Sequence, residues 1–376
     1  MQSILSELQI LRNNRPIEPD RNNKNKYCII SNDSTHKTAY CFGVPIYNSN
    51  GKLLDLCFKE HEQSLSYYGS NAHINIDKII TFSNPMGLFS IDLFDGDIIR
   101  KSAHSVQYNN TELTPTVNGL LIKKECNNET SMRIKLTSST PSSSSCWIND
   151  RCFCFMRNDF EPFITLSCIG ASVDGKHISN PIKISFTQIN DYEYILEFIN
   201  NNPMTKYISF EINMYEKKLF QDTTVESSHP LLNNVYGTTA FIGVTSLLGE
   251  QWLYSRIDHS LISEFYNRKV DKVIIHIPTH NLGYTDFHAY NVSRRFCSFG
   301  STWNDRIPDD INIANAQLNN GYYSINISNQ IIDSNSKHMK MTEGIILKPK
   351  SKNGGFAVLS TGDCYFAPQI LEICYR

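Results

Sequence analysis

The stretch Gly249 to Asp258 places Trp252, Tyr254, Arg256 and Asp258 at every second position, with Leu253, Ser255 and Ile257 between them. On a strand the first set shares one face. Indole and phenol rings beside a guanidinium and a carboxylate suit a sugar, whose C–H face stacks while its hydroxyls need polar partners. Trp303 lies in a second mixed stretch with Phe296, Phe299, Arg294, Arg295, Asn304, Asp305 and Arg306. The expected ligand-binding residues are therefore Trp252, Tyr254, Arg256 and Trp303. The competing reading makes Trp252 and Trp303 core residues.

Catalytic patterns are absent from the string. Gly170-Ala171-Ser172-Val173-Asp174-Gly175 lacks the spacing of a nucleophile elbow and reads as a turn, and no phosphate-binding glycine motif occurs. His276 and His280 have the H-x-x-x-H spacing but flank Pro278 in a strand-like run. Four residues of strand separate them by ~13 Å, too far for one ion, so they read as two exposed imidazoles. Cys152 and Cys154 would share a strand face, with Cys146 or Cys168 as further thiol ligands in a less favoured metal reading. Asp95/Asp97 and Asp309/Asp310 fall in turn-like segments, where aspartate bonds local backbone. The expectation is a chain that is not an enzyme and takes no metal or cofactor.

The elements that carry these residues are strands. Asn-Gly and Asp-Gly pairs at 50–51, 95–96, 118–119, 174–175, 320–321 and 353–354 separate runs rich in Ile, Val, Tyr, Phe and Thr. Tyr192, Tyr194, Leu196 and Phe198 alternate onto one face, as do Ile208, Phe210, Ile212 and Met214, and Ile182, Ile184 and Phe186. Helical periods are nearly missing. The predicted fold is all-β: two tandem, jelly-roll-like β-sandwich domains with a short N-terminal arm. The boundaries are an arm at 1–26, a first sandwich at 27–216, a connector at 217–235 and a second sandwich at 236–376.

A length of 376 residues suits two or three domains, and 40% hydrophobic residues suffice for packed cores. A net charge of −2 leaves no cationic excess for nucleic acid, and no run is apolar enough to span a membrane. Charged residues are only 19% of the chain, with 19 Tyr and 20 Phe, a composition prone to association. The 11 Cys, without C-x-x-C spacing, read mostly as small buried hydrophobes rather than a disulfide framework. Residues 1–11 do not read as a signal peptide. The expected protein is made in the cytoplasm and ends on a spore, cell-surface or particle exterior. In the arm, Ile4, Leu5, Leu8 and Leu11 share an apolar face and are expected to pack against another copy of the chain.

Residues 220–376 also resemble the DNRLRE (disaggregatase-related) domain family. The strings that carry the likeness are 233–237 (Asn-Asn-Val-Tyr-Gly), 241–243 (Phe-Ile-Gly), 251–258, 270–277, 296–304 and 362–373. The sequence departs from the family pattern at Arg256-Ile257-Asp258 and at Val270-Asp271-Lys272. The resemblance implies a non-catalytic sandwich of the carbohydrate-binding-module kind, without naming a ligand. Two functions follow as expectations: a self-assembling structural or adhesive surface protein, or a module recognising a cell-surface or plant polysaccharide.

Overall fold

The computed structural model describes residues 4–13, 17, 23–32, 36–61, 64–93, 96–126, 131–139, 146–148, 152–158, 161–173, 176–177, 182–199, 205–280, 286–307, 309–351 and 355–376. The chain is all-β, and every strand pairing among these residues is antiparallel. It divides into two compact units, residues 47–216 and residues 2–46 with 217–376.

In the first unit a nine-stranded sheet has Glu161–Val173, Tyr207–Met214 and Gly119–Glu125 at its centre. An eight-stranded sheet runs from Lys183–Asn190 through Glu193–Ile199, Ser131–Ser138 and Gly87–Asp92 to Lys59–His61. Alternation explains which residues join the core between them. Ile208, Phe210, Ile212 and Met214 are all buried, as are Tyr194, Leu196 and Phe198. Tyr192 sits in the turn before its strand and is exposed, and Phe186 is 43% exposed. Two members of the predicted faces thus stay exposed, Tyr192 because it precedes its strand and Phe186 because its strand is the sheet's edge.

The second unit pairs a six-stranded sheet with a seven-stranded one. The six-stranded order is Cys28–Asn32, Lys37–Phe42, Ile370–Tyr375, Val270–Pro278, Tyr322–Asn326, Gln317–Asn319. The other sheet centres on Phe287–Val292, Ile345–Pro349, Gly249–Ile257 and Thr239–Thr245, and Phe220–Glu226 adds to Gly249–Ile257. Val273, Ile275, Leu371, Ile373, Leu253 and Leu347 fill the space between them.

Two expected boundaries change. Residues 28–42 form a hairpin of the second unit, because Lys37–Phe42 pairs with Ile370–Tyr375 along six residues. The stretch 217–235 is no plain connector, since Phe220–Glu226 pairs residue for residue with Gly249–Ile257. The first unit is therefore an insertion into the second rather than its predecessor in tandem. Pairing across more than three hundred residues leaves no local trace in a sequence.

The assembly role expected of the arm also changes. Ile4–Leu11 is a helix, and Ile4 and Leu8 are buried within the single chain, with Leu5 and Leu11 half-buried. The helix lies on the outer face of the six-stranded sheet. The Arg12 guanidinium sits 5.8 Å from the Tyr40 ring centre, and Asn320 Nδ2 donates to Ile10 O at 3.1 Å. Tyr40 alternates with the core residues Ala39 and Cys41, so it faces away from the core and towards the helix. Tucked there, the apolar stripe leaves water without needing a second chain.

Cys28 and Cys41 are cross-strand neighbours joined by a disulfide, which the sequence reading did not anticipate. No helix among the described residues is long and apolar enough to cross a membrane.

Candidate functional site

The aromatic strand Gly249–Ile257 alternates as expected: Leu253 and Ile257 point into the core, Trp252, Tyr254 and Arg256 away from it. The outward face is nonetheless mostly closed. Tyr254 is fully buried, its hydroxyl donating to Ile307 O at 3.3 Å, and it packs with Val225, Phe296 and Ile346. Trp252 and Trp303 meet with ring centres 4.9 Å apart, both half-buried on that cluster. Their faces already carry cations. Lys348 Nζ lies 3.8 Å from the Trp252 ring centre, and the Arg306 guanidinium 4.3 Å from that of Trp303. Trp252 Nε1 donates to Glu250 Oε1 at 2.8 Å. A cation against a half-buried indole is a stabilising contact, and a stacking sugar would have to displace it.

Arg256 is separated from the two tryptophans. It donates to Gln221 Oε1 and lines a 280 Å³ pocket with Asp258, His259, Arg295, Thr342 and Glu343. Burial, and secondarily the neighbouring Arg295, lower its pKa. Asp258 accepts from Ser260 N–H at 3.0 Å and so caps the 3₁₀ helix His259–Phe265. Of the four expected ligand residues, the fold joins Trp252 and Trp303, places Tyr254 in the cluster they pack on and sets the Arg256 guanidinium 5.7 Å from the Phe296 ring of that cluster.

A more open arrangement occurs in the first unit, at residues the sequence reading passed over. A cleft of about 590 Å³ lies between segment 48–59, the hairpin end 68–73 and the turn 83–85. Its aromatic element is Tyr68, 61% exposed, stacked on His73 with ring centres 4.3 Å apart and planes 21° from parallel. The two are directly opposed on antiparallel strands, which brings the rings into register. The hairpin end is held rigidly. Gly69 N–H donates to Ala72 O at 2.8 Å, Ser70 N–H to Val117 O at 3.0 Å and Asn71 N–H to Asn118 Oδ1 at 3.0 Å. A side chain at position 69 would place its Cβ 2.6 Å from Val117 O, so only glycine fits. Opposite, Asn48 Oδ1 accepts the N–H groups of Asn50 and Lys52, both at 3.0 Å, and fixes the 48–52 turn.

The remaining cleft wall carries amides and hydroxyls, among them Asn50, Asn71, Ser83 and Asn84, beside the apolar Leu53, Leu54 and Pro85, with Lys52, Lys59 and Asp55 as its charged groups. A rigid aromatic platform beside amide, hydroxyl and charged hydrogen-bonding groups matches a polyhydroxylated ring. Cys57 also lines the cleft, 3.4 Å from His104 Nδ1. Burial, and then the adjacent Asp55, push its thiol up to about 11, so it is protonated at neutral pH and a poor nucleophile. Asn and Gly near residues 48–51 signal only a turn in the sequence. Period-two alternation puts Tyr67 and Tyr68 on opposite faces without saying which is the buried one.

The other candidates resolve individually. His276 is buried rather than exposed, its Nδ1 2.8 Å from Ser324 Oγ and its Nε2 3.0 Å from Glu372 Oε2. This Ser–His–Glu chain is a cross-strand link. Ser324 lies on an interior strand paired on both sides, so the ladder occupies the backbone N–H groups an oxyanion would need. His280 bonds Ser360 Oγ at 2.8 Å. Cys152 and Cys154 are buried with sulfurs 3.3 Å apart, while Cys168 faces the opposite side, into the core. The side chain of Cys146 lies outside the described residues. Among the described residues no three His, Cys, Asp or Glu side chains cluster as a metal site. Asp97 is an exposed partner of Lys78; Asp95 and the side chains of Asp309 and Asp310 lie outside the described set.

Comparison with known protein families finds no match, and comparison with curated proteins finds none either.

Proposed function

We propose that this chain is a non-catalytic, adhesive glycan-binding protein whose principal site is the Tyr68 cleft. The observation that carries this reading is the exposed Tyr68–His73 stack at the edge of a 590 Å³ cleft walled by amides and hydroxyls. A tyrosine ring held by a rigid hairpin at the rim of a cleft offers a preformed stacking surface. The ligand class is a polysaccharide, and the protein acts where such chains are displayed, on a cell, spore or particle exterior. The resemblance of residues 220–376 to DNRLRE modules supports a non-catalytic role.

Two buried carboxylates of the second unit support the same view. Asp222 and Glu226 share one strand, but four residues of strand separate them by ~13 Å, beyond the ~5–9.5 Å span of a glycosidase pair. Glu226 instead accepts from Gln251 Nε2 at 2.6 Å and lies 2.6 Å from His229 Nδ1.

Affinity electrophoresis of the full chain through a panel of soluble polysaccharides tests the proposal. Wild type is retarded by at least one glycan, and Tyr68→Ala weakens that retardation about tenfold, worth about 1.4 kcal/mol. Retardation unchanged in Tyr68→Ala but abolished in a folded Trp252→Ala variant would transfer the site to the second unit. No retardation by any glycan would remove the proposal.

A further inference from the structure

Sheet edges in the first unit are mostly short or charged. Lys59–His61 and Cys146–Ile148 have three residues each, and Ile98–Lys101 ends in Arg100 and Lys101. Short or charged edges of this kind prevent strands of different molecules from pairing. The strand Lys183–Asn190 breaks the rule. It is an edge strand of eight residues, Lys-Ile-Ser-Phe-Thr-Gln-Ile-Asn, with no proline, no acidic residue and one cation at its end. Residues 185–192 are all exposed, including Phe186, Ile189 at 50% and Tyr192 at 45%. The Phe186 ring centre lies 5.9 Å from that of Phe153.

We infer that this edge is a self-association surface, where Lys183–Asn190 pairs antiparallel with the same strand of a second copy. The strand is its own complement. A two-fold axis at Phe186 sets Phe186 opposite Phe186 of the partner subunit, Ser185 opposite the partner's Thr187, and Ile184 opposite the partner's Gln188. Each pair keeps both side chains on one face, as an antiparallel ladder requires, and the central pair is aromatic on aromatic. The two Lys183 residues end roughly 20 Å apart, six residue steps along the ladder, so no like charges meet. The irregularity between Gln188 and Asn190 ends the regular ladder and limits the junction to its central residues. An isologous contact covers both open edges at once, whereas an unrelated peptide would cover one. A single strand junction buries less than the ~800 Å² per partner of a standard interface, so the dimer forms in a concentration-dependent way.

Sedimentation velocity of the full chain over a concentration series tests this. The wild-type mass rises from one towards two chains, and the amides of 184–188 gain hydrogen-exchange protection over the same range. Thr187→Lys, at an exposed position, raises the dissociation constant at least tenfold without lowering the melting temperature. Adding Ser185→Glu to Thr187→Lys restores association, because the axis sets each new carboxylate opposite a new ammonium. A wild type that stays monomeric at every concentration overturns the proposal. So does a Thr187→Lys variant that associates like wild type, or a dimer whose 184–188 amides stay unprotected.

Discussion

The Tyr68 cleft and the Trp252 face start from the same ingredients, aromatic and polar side chains alternating on a strand, and end differently. At Trp252 the strand runs through a sheet whose neighbouring segments fold over it. Tyr254 disappears into the Phe296–Ile346 cluster, and Lys348 and Arg306 occupy the indole faces. At Tyr68 the aromatic stands at the last residue of its strand, beside a glycine packed against Val117 O, and the ring stays 61% exposed with His73 stacked on it. Position along the strand, more than residue type, decides whether an aromatic becomes packing or platform. Of these two strands, the one that ends at its aromatic leaves the ring open, and the one that runs on through its sheet has its rings covered.

The sharpest way to break this contrast is Tyr254→Ala. If the ring is packing, its loss costs ~3–5 kcal/mol of stability in the second unit, read by chemical denaturation. A marginal cost would return the Trp252 face to the list of platforms. Next in size is the Cys28–Cys41 disulfide, which closes a short loop in the second unit. Replacing both cysteines by Ala lowers stability by about 2–3 kcal/mol and leaves glycan retardation intact, because the cleft belongs to the other unit. Lost retardation would mean that the two units do not work separately.

A smaller effect comes from Asp222, buried in the second unit, where burial pushes its carboxyl up to about 7. Between about pH 4, where it titrates in the unfolded chain, and about pH 7, the folded protein holds a proton that the unfolded chain has lost. Stability therefore declines as pH rises through this window and levels off above it. Asp222→Asn removes that part of the slope in melting temperature against pH. An unchanged slope would show that Asp222 titrates normally. The smallest stability effect is at the cleft: Tyr68→Ala changes folding free energy by under ~0.5 kcal/mol while weakening glycan retention. A large destabilisation there would make Tyr68 a packing residue too.

Much of the fold was legible because alternation is local. The run from Ile208 to Met214 announces its buried face without any knowledge of its neighbours. What was not legible depends on partners far along the chain. The hairpin 28–42 reads like any other strand pair, and only its pairing with Ile370–Tyr375 assigns it to the second unit. The helix Ile4–Leu11 shows an apolar stripe, yet the sequence cannot say whether its own sheet or another molecule covers that stripe. At the candidate site, the strand through Trp252 was found with the right alternation, but the Lys348 and Arg306 that close it come from segments ~50–100 residues away. The cleft was missed because Asn48, Asn71 and Asn84 are turn formers first, and only in three dimensions do three turns face one ring.

The insertion of one unit within the other bears on how the protein is made. The chain leaves the second unit after residue 46 and returns at 217, and Leu219 N–H donates to Gly43 O at 2.8 Å, so exit and re-entry are neighbours. During synthesis the first unit has all its strands by residue 216, while the hairpin 28–42 waits with one side of Lys37–Phe42 unpaired. Its partner, Ile370–Tyr375, emerges some 330 residues later and slots between that hairpin and Val270–Pro278. That strand acts as a keystone. A chain truncated shortly before it has every strand of the first unit and leaves Lys37–Phe42 and Val270–Pro278 each with an open edge. Closure of the six-stranded sheet thus waits on six residues.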